Sequence, residues 1–357
     1  MLEKFIKSIL PASGVEQLKK LVEGITNSTL RVAVSSRLLS SLYYILLSKD
    51  FSRENQAVIY GKLKYIEDLQ SNLESQYLLR RNIHRLEKGI IMKPRRDIFA
   101  LDYIEETVKC YEKSVLEKGK DISESTELQW AHDVLEQYFN VAGSNSVIEE
   151  AKRKFLALDK PSKNEIQRVP YKRNTDERSP VNYDDLLKLA YRRRSVRWYL
   201  QKPVPRELID KAVAVATLSP SACNRQPFEF HIFDDPDVVK RVASIPMGTK
   251  GFSHNFPVIV VVVGKLRAYF SERDRHVIYI DGSLASMSFM YALETLGLSS
   301  CPINWPDIED RERVMAATLG LEPDERVVML ISVGYADPEG MIPYSQKKEL
   351  DLLRRYH

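Results

Sequence analysis

Apolar residues recur at helical spacing through residues 1–158. Between Tyr65 and Tyr77, for example, they stand four residues apart, and strand-like alternation is rare in this part of the chain. A spacing of three to four residues places side chains on one face of a helix. The pattern therefore predicts an all-helical N-terminal domain over residues 1–158.

This pattern stops between residues 159 and 182. The stretch is rich in proline, asparagine, serine and charged residues and has no apolar periodicity. Such a composition favours a linker or an extended arm over a packed element. We therefore predict a linker at 159–182 and a second domain over residues 183–357.

The second domain shows both helical and strand periodicity. Residues 228–233 alternate apolar and polar side chains, as a half-buried strand does, whereas residues 257–264 and 327–335 are unbroken apolar runs. Such runs are typical of central strands that are covered on both faces. Residues 281–296 are apolar almost all round, which predicts a helix buried in a core or an interface. The sequence thus predicts an α+β domain behind an all-α region.

Composition and charge narrow the classes of function. Hydrophobic residues make up 44% and charged residues 29% of the 357 residues, ordinary values for a folded globular protein. The formal net charge of +4 gives little support to a nucleic-acid partner. The three cysteines are far apart and form no CxxC pair, so they support neither a disulfide framework nor a metal site.

The same features suggest a location for the protein. Few, scattered cysteines fit a reducing compartment. Charged residues interrupt the first apolar run, and no stretch reaches the ~18 apolar residues that a membrane span needs. We therefore expect a cytoplasmic protein without an export signal or a membrane span.

Two short segments carry candidate binding chemistry. Residues 191–197 read YRRRSVR, and their guanidinium groups and hydroxyl could hold a phosphate by forked, charge-assisted hydrogen bonds. Residues 219–227 read SPSACNRQP, in which Asn224 and Gln226 offer the donors and acceptors that the polar edge of a heterocycle requires. Taken alone, each segment is explained more simply as a solvated basic turn or as a polar loop between a helix and a strand.

A third segment, residues 297–305, follows the predicted buried helix and reads GLSSCPINW. We expect it to form a loop that could lay backbone groups against a flat ring. Cys301 is expected to be a small buried residue rather than a nucleophile, because no histidine follows in a partner motif. The chain has no GxGxxG after a strand, no GxxxxGK[ST], no HExxH and no GxSxG. Rossmann dinucleotide-binding domains, P-loop NTPases, zincins and typical serine hydrolases therefore lose support.

Four segments taken together, in this order and spacing, resemble the nitroreductase family of flavin enzymes. They are RRRSVR at 192–197, SPSACNRQPFEF at 219–230, IDGSLASMSFMYALETLGLSSCPIN at 280–304 and SVGYADPE at 332–339. The resemblance covers residues 183–357 and implies a mixed sheet flanked by helices. It also implies a homodimer that binds FMN at the subunit interface, takes hydride from NAD(P)H and passes it to a small-molecule acceptor.

The resemblance assigns roles to individual residues. The FMN phosphate would be held by Arg193, Ser195 and Arg197, beside Arg194 and joined by Lys347 or Lys348. The isoalloxazine ring would be lined by Pro220, Ser221, Asn224 and Gln226, and covered on its other face by Pro302 and Ile303 ahead of Asn304. The cofactor carries the redox chemistry, so we expect no catalytic side chain and no metal.

The chain departs from the family after the Pro-Ile pair. Where members of the family carry an acidic residue and a glycine, this chain has Asn304 and Trp305. A bulky Trp305 could narrow the substrate pocket, so broad reduction of nitroaromatic compounds does not follow from the resemblance. A specialised enzyme that acts on one metabolite stays open as an alternative.

The N-terminal region adds a second resemblance. Residues 80–96 resemble the N-terminal part of nitroreductase-like proteins found beside polysaccharide-biosynthesis enzymes, and they carry seven Lys or Arg residues against one Glu. This charge indicates either a solvated helix end or a surface that docks an anion. It also keeps open a function of another class, a flavin-binding or flavin-free scaffold in a polysaccharide-assembly complex.

Overall fold

The computed structural model describes residues 11–70, 76–118, 125–160 and 167–357. Contacts between Cα atoms divide the chain into two compact units, residues 1–56 and residues 57–357. Each unit is described by itself. The helical periodicity predicted for 1–10, 71–75 and 119–124, and residues 161–166 of the predicted linker, lie outside the described residues.

The first unit is helical and poorly buried. It contains α1 (Ala12–Ala33), α2 (Arg37–Tyr43) and a π-helical turn at Tyr44–Ser48. Ser36 caps α2, because its side chain accepts a hydrogen bond from the Leu39 amide. Among the described side chains of this unit, Ala33 is the one buried hydrophobic residue.

The second unit begins with a helical region. Its helices are α3 (Ser52–Gln70), which enters the unit at Ala57, and α4 (Gln76–Ile90), α5 (Ile104–Lys118), α6 (Thr126–Val141) and α7 (Ser146–Leu156). The apolar faces of α4, α5, α6 and α7 form a core around Ile83, Tyr111, Leu135 and Tyr138, whereas Ala57 of α3 belongs to a separate cluster. The helical prediction for this part of the chain is confirmed in the described residues.

Residues 157–160 and 167–182 form neither helix nor strand. They lie inside the second compact unit, so the domain boundary at 159–182 stays a prediction. Beyond them, α8 (Tyr183–Arg192) begins at Asn182, whose side chain accepts a hydrogen bond from the Asp185 amide.

A four-stranded sheet lies at the centre of the C-terminal region. Its strands are β1 (Phe228–Phe233), β2 (Val258–Lys265), β3 (Ser299–Asn304) and β4 (Glu325–Gly334), in the spatial order β1-β2-β4-β3. All three strand pairs are antiparallel. The strands predicted at 228–233, 257–264 and 327–335 are confirmed to within two residues, and so is the α+β class.

Helices cover both faces of this sheet. Ile259, Val261 and Val263 of β2 pack against α10 (Pro236–Ala243) and α12 (Glu309–Leu319). Val258, Val260 and Val262 pack against α9 (Arg206–Ala216) and α11 (Val277–Thr295). Because successive strand residues point to opposite faces, a central strand covered twice must be apolar at every position. This explains the unbroken run in β2.

Two further features bear on the site. The predicted buried helix at 281–296 is α11, which starts one turn earlier than expected. The loop predicted at 297–305 is wrong, because residues 299–304 form the edge strand β3 and pair with β4. The short α13 (Leu350–Leu353) ends the described elements. No helix among the described residues is long and apolar enough to cross a membrane.

Candidate active site

The predicted phosphate-binding residues lie along the free edge of β3. Immediately after α8, the Val196 amide donates to the Ser300 carbonyl oxygen at 3.0 Å, and Ser195 and Ser300 form an isolated parallel bridge. This contact places Arg193, Ser195 and Arg197 beside Ser300. Two segments separated by a hundred residues in sequence thus form one polar patch.

This patch contains buried polar atoms with no partner. Arg193 Nε and Ser300 Oγ are buried, and neither has a hydrogen bond with the described residues. No carboxylate in 11–70, 76–118, 125–160 or 167–357 forms an ion pair with Arg193 or Arg197. Arg197 instead lies over the Phe252 ring, 5.7 Å from its centroid. Buried cationic and hydroxyl donors without acceptors are what an anionic ligand would satisfy.

Glu294 holds the elements around the patch together. It lies near the end of α11, where its carboxylate meets Arg192 Nε at 3.3 Å and accepts a hydrogen bond from Ser299 Oγ at 3.3 Å. Burial raises the pKa of Glu294, and the positive charge of Arg192 opposes that rise. Glu294 therefore connects α8, α11 and β3 at the point where they meet.

Cys301 is buried beside the same patch, as the sequence predicted. Burial raises the pKa of its thiol, while Arg197 acts in the opposite direction. A protonated, buried thiol is a poor nucleophile. The structure thus supports a packing role for Cys301.

The second predicted segment is a strained loop between α9 and β1. Cys223, Asn224 and Gln226 have φ values of 53°, 51° and 49°. This is a left-handed backbone conformation that residues other than glycine rarely adopt. A hydrogen bond anchors the loop to α11, because the Ala222 amide donates to Asp281 Oδ2 at 2.9 Å. Ser221 Oγ also accepts a hydrogen bond from the Gln226 amide at 2.8 Å.

A buried polar group supports this loop. Asp281 is 3% exposed on α11, and burial raises its pKa, opposed by the hydrogen bond from Ala222. Arg225 is 4% exposed and lies over the Tyr269 ring, 4.8 Å from its centroid. The loop therefore rests on an ordered layer of side chains.

The Gln226 side chain makes hydrogen bonds within the protein, so its contact with the flavin edge stays a prediction. Its amide nitrogen donates to the Thr217 carbonyl at 2.7 Å, and its amide oxygen accepts from Arg80 at 2.9 Å. Both polar ends are therefore engaged within the protein. The Asn224 side chain, by contrast, makes no hydrogen bond within the described residues, and Pro220 is exposed beside it.

In the third predicted segment, alternate residues of β3 lie on opposite faces of the sheet. Pro302 is half-buried and Asn304 is exposed, whereas Ile303 is buried in the core that contains α10 and α12. The position of Trp305 does not support a narrowing of the pocket. Trp305 is buried in the same core, and its indole Nε1 donates to Glu312 Oε1 at 2.6 Å.

Three predicted phosphate-binding residues remain, Arg194 after α8 and Lys347 and Lys348 in the C-terminal segment. Arg194 donates to the backbone carbonyls of Pro343 and Tyr344, which holds the C-terminal segment against the patch. Lys347 and Lys348 follow three and four residues later and are exposed. They can lie no more than about 14 Å along the chain from that anchor.

The anion-docking surface at 80–96 stays a prediction, although three of its seven cations contact other parts of the protein. Arg80 contacts the loop of Asn224 and Gln226, and Arg81 lies over the Phe270 ring. Arg85 pairs with Asp102 at 3.2 Å. These three arginines are half-buried, whereas Lys88, Lys93, Arg95 and Arg96 stay exposed.

The nitroreductase family model matches residues 190–335. These residues form a nitroreductase-family domain. The match includes the β3 edge, the strained loop and the whole of α11, but it stops before Lys347 and Lys348.

Similar proteins carry more than one activity in their names. Iodotyrosine deiodinase 1 of Pongo abelii is 26% identical over 195 residues, which cover 47% of this chain and 66% of that protein. An Archaeoglobus fulgidus protein provisionally named NADH dehydrogenase/NAD(P)H nitroreductase is 29% identical over 157 residues, 44% of this chain and 88% of its own length. The solved FMN-dependent nitroreductase of Clostridium difficile R20291 is 25% identical, with a TM-score of 0.39 over 44% of this chain and 92% of that structure.

Sequence reasoning missed several residues of the nitroreductase domain. Ser300, Glu294 and Asp281 are polar residues at otherwise apolar positions of α11 and β3, which was the available signal. The contact between Arg80 and the loop gave no signal, because Arg80 and Asn224 are 144 residues apart in sequence. Among the described residues, no group of three or more His, Cys, Asp or Glu residues could hold a metal ion. The expectation of a site without a metal stays a prediction.

Proposed function

We propose that this protein is an FMN-dependent oxidoreductase that takes hydride from NAD(P)H and passes it to a small-molecule acceptor. The observation that carries the proposal is the pair of buried, unpartnered donors Arg193 Nε and Ser300 Oγ. They lie inside a domain of a family of oxidoreductases.

The phosphate of FMN fits the patch beside β3. Arg193 and Arg197 would supply positive charge, and Ser195 and Ser300 would supply hydroxyl groups, with Lys347 or Lys348 joining from the C-terminal segment. Charge-assisted hydrogen bonds of this kind are about twice as strong as neutral ones. The patch offers one such cluster and the chain has no GxGxxG, which favours FMN over FAD.

The ring would meet the strained loop. Ser221 and Asn224 remain its polar contacts, with Pro220 beside them, whereas Gln226 would fix the loop from behind. Pro302 and the backbone of Ile303 would lie against the other face. When bound, FMN supplies the hydride chemistry, so the protein's own residues bind, orient and shield it.

The placement of these two contact sets supports a homodimer. The loop is anchored at Asp281 and the patch at Glu294, which are 13 residues apart on α11 and hence about 20 Å apart. A second copy with an antiparallel α11 would bring the loop of one protomer beside the patch of the other. The exposed Ile280 and Leu284, one turn apart on α11, give such an interface apolar area.

The cofactor proposal is tested on purified protein. Heat-released cofactor should run as FMN on chromatography, and reconstituted protein should bind FMN more tightly than FAD. Release of FAD would contradict the assignment of Arg193 and Arg197 to a terminal phosphate. Protein that binds neither flavin would favour the flavin-free scaffold instead.

The acceptor is addressed by a substrate panel. The named relatives include both deiodinases and nitroreductases, so the panel should contain an iodotyrosine, a nitroaromatic compound and a quinone. We expect turnover of one class to exceed the others. A link to polysaccharide biosynthesis rests on the resemblance of residues 80–96, and a sugar-nucleotide substrate in the same panel would test it.

A further inference from the structure

The helical region contacts the loop that we propose lies against the flavin. Arg80, on α4, donates through Nε to the Asn224 carbonyl at 2.9 Å. A second nitrogen of the same guanidinium donates to Gln226 Oε1 at 2.9 Å. One side chain from outside the family domain therefore spans the two ends of the strained segment.

Arg80 is itself held in place by neighbouring side chains. Glu127, near the start of α6, pairs with it at 3.2 Å, and the side chains of Arg80 and Glu127 are only 17% and 28% exposed. The guanidinium also lies 5.5 Å from the centre of the Trp130 ring. Trp130 in turn donates to Glu87 of α4 at 2.9 Å, which joins α4 and α6 behind the arginine.

The contacts fall where the loop conformation is least favourable. Asn224 and Gln226 both have positive φ, and a residue other than glycine in that region costs free energy that the surroundings must offset. From the side of the sheet, Asp281 and Ser221 hold the loop at Ala222 and at the Gln226 amide. From the side of the helical region, Arg80 satisfies two further acceptors, the Asn224 carbonyl and the Gln226 amide oxygen.

We infer that Arg80 is a positioning residue for the flavin-contacting loop, so that the helical region sets the affinity of the protein for FMN. The inference rests on the proposed function, because it requires that this loop contacts the flavin. Arg80 fixes the direction of the Gln226 amide, and the Asn224 side chain is left to face the ring.

The test compares three variants of the full chain. Arg80→Gln removes the charge and the fork, Arg80→Lys keeps the charge, and Arg81→Gln removes an adjacent arginine that lies over Phe270. For each variant, FMN affinity is measured by quenching of flavin fluorescence. Amide hydrogen exchange of residues 221–227 and the melting temperature are measured without flavin.

We expect Arg80→Gln to weaken FMN binding by about tenfold or more and to speed exchange in the loop, since it removes two charge-assisted hydrogen bonds. Arg80→Lys should recover most of the affinity, and Arg81→Gln should stay within about twofold of wild type.

Three results would overturn the inference. If Arg80→Gln binds FMN as wild type does, the loop does not need this contact. If all three variants lose affinity in proportion to their melting temperatures, Arg80 is merely structural. If the wild type itself binds no FMN, the proposed function fails first and this inference with it.

Discussion

Arg193 is a half-buried cation whose Nε atom is buried and has no hydrogen-bond partner in the described chain. A buried donor without an acceptor lowers stability, typically by about 1–3 kcal/mol. A ligand that supplies the acceptor recovers that loss on binding. At the scale of single residues, Arg193 is therefore better explained by binding than by folding.

The first prediction concerns Arg193→Gln. FMN affinity should fall by about 10- to 150-fold, because a hydrogen bond to a charged group contributes about 1.5–3 kcal/mol. The melting temperature of the flavin-free protein should change little, since Arg193 forms no ion pair with the described residues and acts on Glu294 only at longer range. Titration with FMN and a thermal melt measure the two effects.

Arg206→Gln serves as the matched control. Arg206 pairs with Asp234 at 2.6 Å on the surface and belongs to neither of the two proposed contact sets. Its replacement should leave FMN affinity unchanged. Loss of stability without loss of affinity in Arg193→Gln would identify Arg193 as a structural residue.

The second prediction concerns Trp305→Phe. The change removes the indole donor to the buried Glu312 and should lower the free energy of unfolding by about 1–3 kcal/mol. The relative rates with different acceptors should stay the same, because Trp305 is in the core. Urea unfolding measures the change in stability. A changed preference among acceptors would indicate that Trp305 lines the substrate pocket.

At the scale of elements, the sequence identified what has a clear period. The unbroken run in β2 and the alternation in β1 each mark a strand, and α11 is apolar all round. The strand β3 was missed because SSCPIN combines two serines, a cysteine and a proline, residues with weak strand preference. Because the strand was not predicted, the sequence did not show which of its residues face the core. The burial of Ile303 and Trp305 was therefore not predicted.

Contacts between distant elements were equally beyond the sequence. The patch required Ser300 to lie beside Ser195, and the loop contact required α4 to reach Gln226. No local pattern encodes such pairings, because they depend on how the elements pack. Four motifs in register predicted a set of site residues, but they did not predict which elements bring those residues together.

The third prediction concerns the core of the helical region. His132 on α6 is buried beside Tyr111, whose hydroxyl lies 3.1 Å from its Nδ1. Burial lowers the pKa of His132, and the nearby Glu136 and Asp133 oppose that shift. The unfolded chain therefore binds a proton at a higher pH than the folded protein does, and His132 costs stability as pH falls through about 6.5.

Wild type should consequently lose more stability between pH 7 and pH 5.5 than His132→Gln does. Urea unfolding at the two pH values measures the difference. An equal loss in both proteins would mean that His132 titrates alike in the folded and unfolded states.

At the scale of the whole molecule, the account requires two copies of the chain. Light scattering should give about twice the chain mass of 41.2 kDa. A stable monomer loaded with flavin would contradict the shared site, because the loop and the patch of one protomer are anchored at opposite ends of α11.

The fourth prediction uses mixed dimers. Protomers carrying Arg193→Gln and protomers carrying Asn224→Ala, each with a different affinity tag, are combined and the doubly tagged dimer is purified. If each site takes its patch from one protomer and its loop from the other, both defects fall in one site and the second site is intact. The mixed dimer should then bind one FMN with wild-type affinity, whereas the two variant homodimers should bind weakly.

A site contained within one protomer gives a different result. Each site of the mixed dimer would then carry one defect, and no FMN would bind with wild-type affinity. The two variant homodimers, titrated alongside, supply the reference affinities for this comparison.

Reduction of the bound flavin by NAD(P)H is tested most directly with the FMN-loaded protein under anaerobic conditions. NADH and NADPH are mixed with it separately, and the flavin absorbance is monitored by stopped flow. The account predicts that the absorption band of the oxidised flavin bleaches rapidly with at least one of the two donors, and that a small-molecule acceptor then restores it. A protein that binds FMN but is not bleached by either donor would contradict the claim that it is an NAD(P)H-dependent oxidoreductase.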